Sequence, residues 1–510
     1  MSGLDVLIQQ AVAAEESGQP DEARRLLLQI VADWPGEAEP LRLLSEQAGR
    51  RGEYDEAIRL GVEVYRLAPT NALPPFRVAE WLTHLGRYED AVPWFRNAMA
   101  ANPGWLDVEE ILGRNLWFCH RLDEARDHWR HWRQQQRQAA MEAGQDPDAY
   151  RILGPNWTGW LGNNAHLDPY LKLRALGRVP PTPLKVLAPP GRVANAHFLG
   201  YFEPYCEIIR DSAACTRLEA QIPLLGDPLH MWFVDAETPS YYLPAMAVAQ
   251  SAWDAEGRAP LLRLRDDDRR RGAAVLRRFG LDADDWFVCL HVREAGFWRE
   301  TGEPWNAPRM APIADYLDAV RRIVDAGGWV IRMGDASMTP LPGMHHVIDY
   351  ARSDLKADWM DVFLTASCRF LLGTNSALYW VAAAFGVPAV LTNWLPITAP
   401  ALRGADIIVP KLLRDIRTGR LLDFESTLRL PRDTWSGHFF RETGLEIVDN
   451  TAGEISAAVD EMLNRGERAA ASRREAALLV ARFDAIRAAV AVPGNGAISG
   501  DFLKAHEDLL

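Results

Sequence analysis

Leu372-Gly373-Thr374-Asn375-Ser376-Ala377-Leu378-Tyr379-Trp380 is the stretch on which the reading of the fold turns. The mostly apolar run from Arg369 to Leu372 predicts a buried parallel strand. A glycine turns the chain, three small polar residues follow, and Ala377 to Phe385 predicts a helix stopped by Gly386. Val387-Pro388-Ala389-Val390-Leu391 then starts another strand, so the whole is a βαβ unit. Thr374, Asn375 and Ser376 stand at the helix N-terminus, where free N–H groups, hydroxyls and the positive end of the helix dipole suit a phosphate or pyrophosphate. Residues of this type are also ordinary helix caps. Taken alone, the stretch leaves a phosphate site and a plain capped helix both open.

Upstream, Trp286 to Arg293 is an apolar strand that ends in polar residues. His291 and Arg293, two apart, share one face at its carboxyl end, and Glu294 follows. A loop with Gly296 and Trp298 comes next, then a helix from Ile313 to Asp325 stopped by Gly327-Gly328. Trp329 to Met333 is another strand, ending in Arg332 and closed by Gly334-Asp335. His346 to Tyr350 follows, and Asp361 opens a helix-like run that leads back to the Arg369 strand. The strand ends therefore bring His291, Arg293, Arg332 and Thr374-Asn375-Ser376 toward one rim. A guanidinium matches two diphosphate oxygens at once. Two such groups beside a helix N-terminus describe a nucleotide-diphosphate pocket with no metal cluster.

Further out, Ile152 to Asn163 reads as irregular. Pro180-Pro181-Thr182-Pro183 announces a strand, Leu184 to Ala188, followed by a loop and a helix from about Phe198 to Arg210. Asn195 and His197 lie at that strand's carboxyl end, on the side expected to face an acceptor. His197 is there either as a general base or as a helix-start packing residue. Asp266-Asp267-Asp268, next to three arginines, suits a solvated helix better than a metal site. Asp282 to Asp285 reads as a turn or cap. Residues 411–450 have little periodicity and read as insertions or a lid. Glu454 to Leu463 and Arg473 to Val490 predict helices, and the end of the chain reads as a flexible Gly-rich link with one short helix.

The first third is periodic. Ala23, Ala57, Ala91 and Ala125 stand 34 residues apart, each behind two acidic residues. Gly18, Gly52 and Gly86 keep that step, as do Pro35, Pro69 and Pro103, and Tyr54 and Tyr88 fill an aromatic slot. This pattern, over about residues 3–136, resembles the tetratricopeptide repeat. The resemblance implies stacked helix pairs with a concave face for an extended peptide or a partner protein. Arg114, Asn115, His120 and Arg121 are candidates to line that face. A spacer or dimerisation element is the alternative.

At 510 residues the chain needs more than one core. Its net charge of −13 disfavours a nucleic-acid surface. The five cysteines are far apart, with no CxxC pair, which suggests neither a disulfide framework nor a zinc site. No leader pattern and no run of about 18 apolar residues is seen, so a cytoplasmic location is expected.

The His-x-Arg after a strand, the later Arg-x-Gly-Asp and the Gly-Thr-Asn-Ser segment resemble the fucosyltransferase-related superfamily with the GT-B fold. More closely, residues 280–412 resemble a bacterial family of glycosyltransferase-like chains, some joined to tetratricopeptide repeats. The resemblance implies an α-solenoid followed by a pair of Rossmann-like α/β domains. The expected division is 1–136 repeats, 137–150 linker, 151–278 acceptor-side domain, 279–465 nucleotide-sugar domain and 466–510 terminal helices. It implies metal-independent, inverting transfer from a nucleotide sugar, with no cofactor beyond that donor. The diphosphate would fall to Arg293 and to Thr374, Asn375 and Ser376, with His291, Arg332 and Asp335 beside them. Glu294 or His197 would be the base, Asn195 and His197 would meet the acceptor, and Trp298 and Trp305 would cover the sugar or base. Glu294-Ala295-Gly296 departs from the relatives' pattern after the motif, which leaves the sugar open. The rival reading is a non-catalytic repeat scaffold whose sheet domains have lost activity. An epimerase-like protein of the same fold is a weaker alternative.

Overall fold

The computed structural model describes residues 3–294, 304–432, 437–465 and 470–510, with the backbone alone at 304–306 and 470–473. The chain divides into two compact units, Met1–Gln135 and Gln136–Leu510.

The first unit is a helical-repeat array. Its helices are α1 (Gly3–Glu16), α2 (Pro20–Asp33), α3 (Ala38–Arg50), α4 (Tyr54–Leu67), α5 (Leu73–His84), α6 (Tyr88–Ala101), α7 (Leu106–Phe118) and α8 (Leu122–Glu142), which continues past the unit boundary. The periodic alanines are the contact points: Ala23, Ala57, Ala91 and Ala125 are each at most 1% exposed, where a larger side chain would hold neighbouring helices apart. Gly18, Gly52 and Gly86 take φ of 76°, 74° and 78° at the turn inside each pair. There the glycine N–H donates to the carbonyl three residues back and the next N–H to the carbonyl five residues back, which closes the helix end. His120 holds the same place in the fourth pair, with φ of 60° and the same two hydrogen bonds. It is thus a turn residue, not a helix-face residue. Asn115, 1% exposed, hydrogen-bonds Thr83 and the Ile111 carbonyl, and Arg121 pairs with Glu124 and Glu89. Both serve packing between repeats. The aromatic slot does too: Tyr54 stacks on His84 and Tyr88 lies against Phe118, each 30 residues on in the next pair.

In the second unit, β1 (Arg151–Leu153), β2 (Leu184–Leu187) and β3 (Glu207–Ile209) form a parallel sheet in that order. The segment expected to be irregular holds β1, a turn of 3-10 helix at Pro155–Trp157 and a short helix, Leu161–Ala165. The helix expected over Phe198–Arg210 is only Ala196–Gly200, because Gly200 and Pro204 break it and the chain re-enters the sheet at β3. β4 (Met231–Phe233) and β5 (Pro239–Tyr241) make a small antiparallel hairpin. Of the acidic triplet, Asp266 and Asp267 are exposed as expected but Asp268 is buried at 3%.

The larger sheet is built from β6 (Phe287–His291), β7 (Trp329–Arg332), β8 (Val347–Ile348), β9 (Leu371–Gly373), β10 (Ala389–Trp394), β11 (Ile407–Pro410) and β14 (Ala497–Ile498). Its order is β14-β11-β10-β9-β6-β7-β8, and every neighbouring pair is parallel. Parallel strands need crossovers, and helices on both faces explain why these strands read as continuous apolar runs. Val288, Leu290, Leu372, Val390 and Val409 share a core with Ala319, Ile323, Ile455 and Val459 of the helices Leu317–Asp325 and Ala452–Leu463. Burying each large side chain contributes about 1.5–3 kcal/mol.

Two expectations are corrected here. Residues within 411–450 form β12 (Leu412–Asp415) and β13 (Leu445–Val448), an antiparallel pair, with helices Phe424–Leu428 and Gly437–Thr443 between them. The strands are too short and too far apart for alternation to show. The end of the chain is part of the sheet: β14 pairs with β11, and Phe502, Leu503 and Leu509 are buried in the core.

Candidate functional site

The chain leaves β6 for β7 and β8 on one side, then returns to start β9 on the other. This is a switch point, where the loops after two adjacent strands diverge and leave a crevice at the carboxyl edge. His291 and Gly373, the last residues of β6 and β9, are register partners. A β-carbon at Gly373 would lie 2.0 Å from the His291 carbonyl oxygen, so only glycine lets the strands approach here.

Hydrogen bonds tie the two loops together. The Thr374 N–H donates to the His291 carbonyl (3.1 Å), the Arg293 N–H to Thr374 Oγ1 (3.0 Å), and Arg293 Nη1 to the Asn375 carbonyl (3.3 Å). Asn375 Oδ1 accepts from the Leu395 N–H (3.1 Å). Ser376 is the N-cap residue of the helix Ala377–Ala384, yet its side chain makes no capping bond. It is 6% exposed, and its Oγ has no hydrogen-bond partner. His291 Nδ1 has none either. Burial, helped by the charges of Arg293, Arg332 and Lys356, pushes His291 down to about 3, so the ring is neutral at physiological pH. Burial and the nearby Arg309 push the Arg293 guanidinium down to about 9, which marks a cation that an adjacent anion would stabilise.

The other named residues are committed elsewhere. Arg332 is fully buried; its Nη2 donates to Glu294 Oε2 (2.7 Å) and its Nη1 to Asp349 Oδ1 (3.1 Å). Glu294 also accepts from the Thr339 N–H (3.2 Å). The expected diphosphate ligand Arg332 and the expected base Glu294 thus satisfy one another. Asp335 accepts from the Ser337 N–H in the turn after β7. Asn195, 3% exposed, caps the helix Ala196–Gly200 through the Phe198 N–H and donates to the Asp358 carbonyl. His197 Nε2 pairs with Asp268 Oδ2 (2.9 Å), which Tyr201 also bonds. Phe198 and Tyr201 pack on Phe385, at the far end of the helix from Ser376 and about 13 Å along it at 1.5 Å per residue. That cluster stands away from the switch point. Trp298 and the side chain of Trp305 lie outside the described residues.

Sequence reading missed Asp268, hidden in a charge run, and Asp349, whose pairing depends on tertiary structure. It also missed a cavity of about 660 Å³ on the same carboxyl edge, lined among others by Glu294, Met310, Lys411, Phe440 and Asp449. Lys411 Nζ donates there to Asp449 (2.6 Å) and to the Met310 carbonyl (2.7 Å), and burial lowers its basicity. Among the described residues no group of three or more His, Cys, Asp or Glu side chains is placed to hold a metal ion. Nor is any described helix long and apolar enough to cross a membrane.

No family model and no curated protein matches the chain. Among solved structures, MamA AMB-1 is 25% identical with a TM-score of 0.25, covering 26% of this chain and 72% of that one. MamA MSR-1 is 24% identical with a TM-score of 0.25, covering 27% and 79%. A further MamA crystal structure is 16% identical with a TM-score of 0.26, covering 27% and 81%. Likenesses of this extent carry no argument about activity.

Proposed function

We propose that the chain is a repeat-bearing scaffold whose second unit binds a nucleotide-type diphosphate at the β6/β9 switch point, while the repeats take a protein partner. The observation that carries this reading is the buried Ser376 Oγ, without a partner at a helix N-terminus, close to the neutral His291 and the Arg293 guanidinium. Hydroxyl, imidazole N–H, guanidinium and free helix N–H groups together are the donor set a diphosphate requires. The 660 Å³ cavity along the same edge is of the size that takes a nucleoside. Glu294 and His197, the sequence-level candidates for a base, are each held in an ion pair, which favours binding over proton abstraction.

Sugar transfer from a nucleotide sugar in a GT-B-like arrangement is the second reading. Arg293 favours it, because a guanidinium set at a strand end beside a helix N-terminus stabilises a departing diphosphate as it stabilises a bound one. Calorimetry of the full chain with pyrophosphate, GDP, UDP and CDP tests the first reading, with saturable heat expected from at least one. No heat from any of them would reject it. Release of free nucleotide from a sugar nucleotide, only when an acceptor is added, would promote the second.

A further inference from the structure

The first sheet sends one segment to the switch point, and its most exposed side chain is an indole. Trp157 and Trp160 lie three residues apart after β1 with opposite fates. Trp157 is fully buried and stacked on Trp232, with ring centroids 5.6 Å apart, whereas Trp160 is 57% exposed. The segment is pinned on both sides of Trp160. Thr158 Oγ1 donates to the Leu187 carbonyl of β2 (2.9 Å), and Asn163 Nδ2 donates to the Asn156 carbonyl (2.7 Å).

Its course relative to the helix Ala377–Ala384 follows from two contacts. A β-carbon on Gly162 would lie 3.7 Å from Ala377 Cβ, and the His166 ring is 6.1 Å from that of Trp380. Four residues on the first segment therefore match three on the second in the same direction. Trp160, two residues ahead of Gly162, comes level with Asn375 and Ser376, at the unpartnered Ser376 hydroxyl.

We propose that Trp160 is the stacking wall for a pyranose ring carried on the diphosphate; this rests on the diphosphate reading above. An indole face takes the axial C–H groups of a pyranose, and the flanking Asn156 and Asn163 amides suit its equatorial hydroxyls. The loop is held in place before the ligand arrives, so little ordering cost attaches to the contact. The ligand class is thus a sugar nucleotide, with the sugar on the first-sheet side.

The test is calorimetry of the full-length chain, its Trp160→Ala and its Trp160→Phe variants, with pyrophosphate, GDP, GDP-mannose, UDP and UDP-glucose as probes. Melting temperature serves as the folding control for both variants. Trp160→Ala is expected to weaken the sugar nucleotide that the wild type binds by about tenfold, leave pyrophosphate and the sugar-free nucleotide unchanged, and recover most of the loss as Trp160→Phe. Equal affinity of wild type and Trp160→Ala for that sugar nucleotide overturns the proposal. So does an equal loss for nucleotide and sugar nucleotide, which would place the base, not the sugar, on the indole. A wild-type chain that takes none of the five probes overturns the diphosphate site itself and this proposal with it.

Discussion

Arg293 and Arg332 look alike in the sequence, each ending a parallel strand, and the structure gives them different work. Arg293 is held by backbone carbonyl and hydroxyl contacts at the crevice. Arg293→Ala is expected to cost about 1.5–3 kcal/mol of pyrophosphate or nucleotide binding, measured by calorimetry, with the melting temperature nearly unchanged. Arg332 has two buried carboxylate partners. Arg332→Met should lower unfolding stability by about 3–5 kcal/mol, because Glu294 and Asp349 are left charged and uncompensated; Glu294→Gln in the same chain should restore part of it. Urea unfolding measures both, and an Arg332→Met chain of wild-type stability would refute the buried-pair account. His166 is a third case. It is 4% exposed among Trp232, Tyr242 and Trp380, its Nδ1 has no partner, and burial pushes it down to about 3. A histidine depressed in the folded state supports folding above its usual pKa of about 6.5 and withdraws that support as pH falls toward 3. His166→Phe should therefore be more stable than wild type in acid and should differ less above pH 7, as read from unfolding curves taken across that window.

At the scale of the element, the repeat turn makes its own test. Gly52 has open space around it, so Gly52→Ala adds only the left-handed strain and should destabilise by about 1 kcal/mol. His120 already carries that strain, and His120→Gly should raise the stability of the first unit by up to about 1 kcal/mol. Circular dichroism melts of the two variants should shift in opposite directions. This element was legible from its sequence because the repeat period shows the same requirement several times over. Gly18, Gly52 and Gly86 mark the turn even though His120 does not. The βαβ stretch from Arg369 to Leu391 was legible for a different reason: doubly covered strands carry unbroken apolar runs, and Gly373 and Gly386 punctuate them. The β12/β13 pair was not legible, since four-residue strands about 30 residues apart leave no period to detect. The site divides along the same line. Thr374-Asn375-Ser376 and Arg293 are local signals, whereas the pairing of Arg332 with Asp349 and of His197 with Asp268 is made only by the tertiary fold.

At the scale of the whole molecule, the boundary between the units falls inside a helix. Gln136 is 1% exposed, donates to the Gly226 carbonyl (2.8 Å) and accepts from Arg151, and Ala140 lies in the core of the first sheet. Removing residues 1–135 should leave the second unit folded. Removing 1–149 strips those contacts and should lower its melting temperature by several degrees, read by scanning calorimetry. The far end of the second unit carries a comparable dependence. β14 and the buried Phe502, Leu503 and Leu509 reach the large sheet only after everything else in the chain has been made. Translation that halts a dozen codons early would therefore release a polypeptide with sound repeats and an open, sticky sheet margin. Degradation machinery that detects exposed strand edges would clear such fragments before their repeats could occupy a partner unproductively.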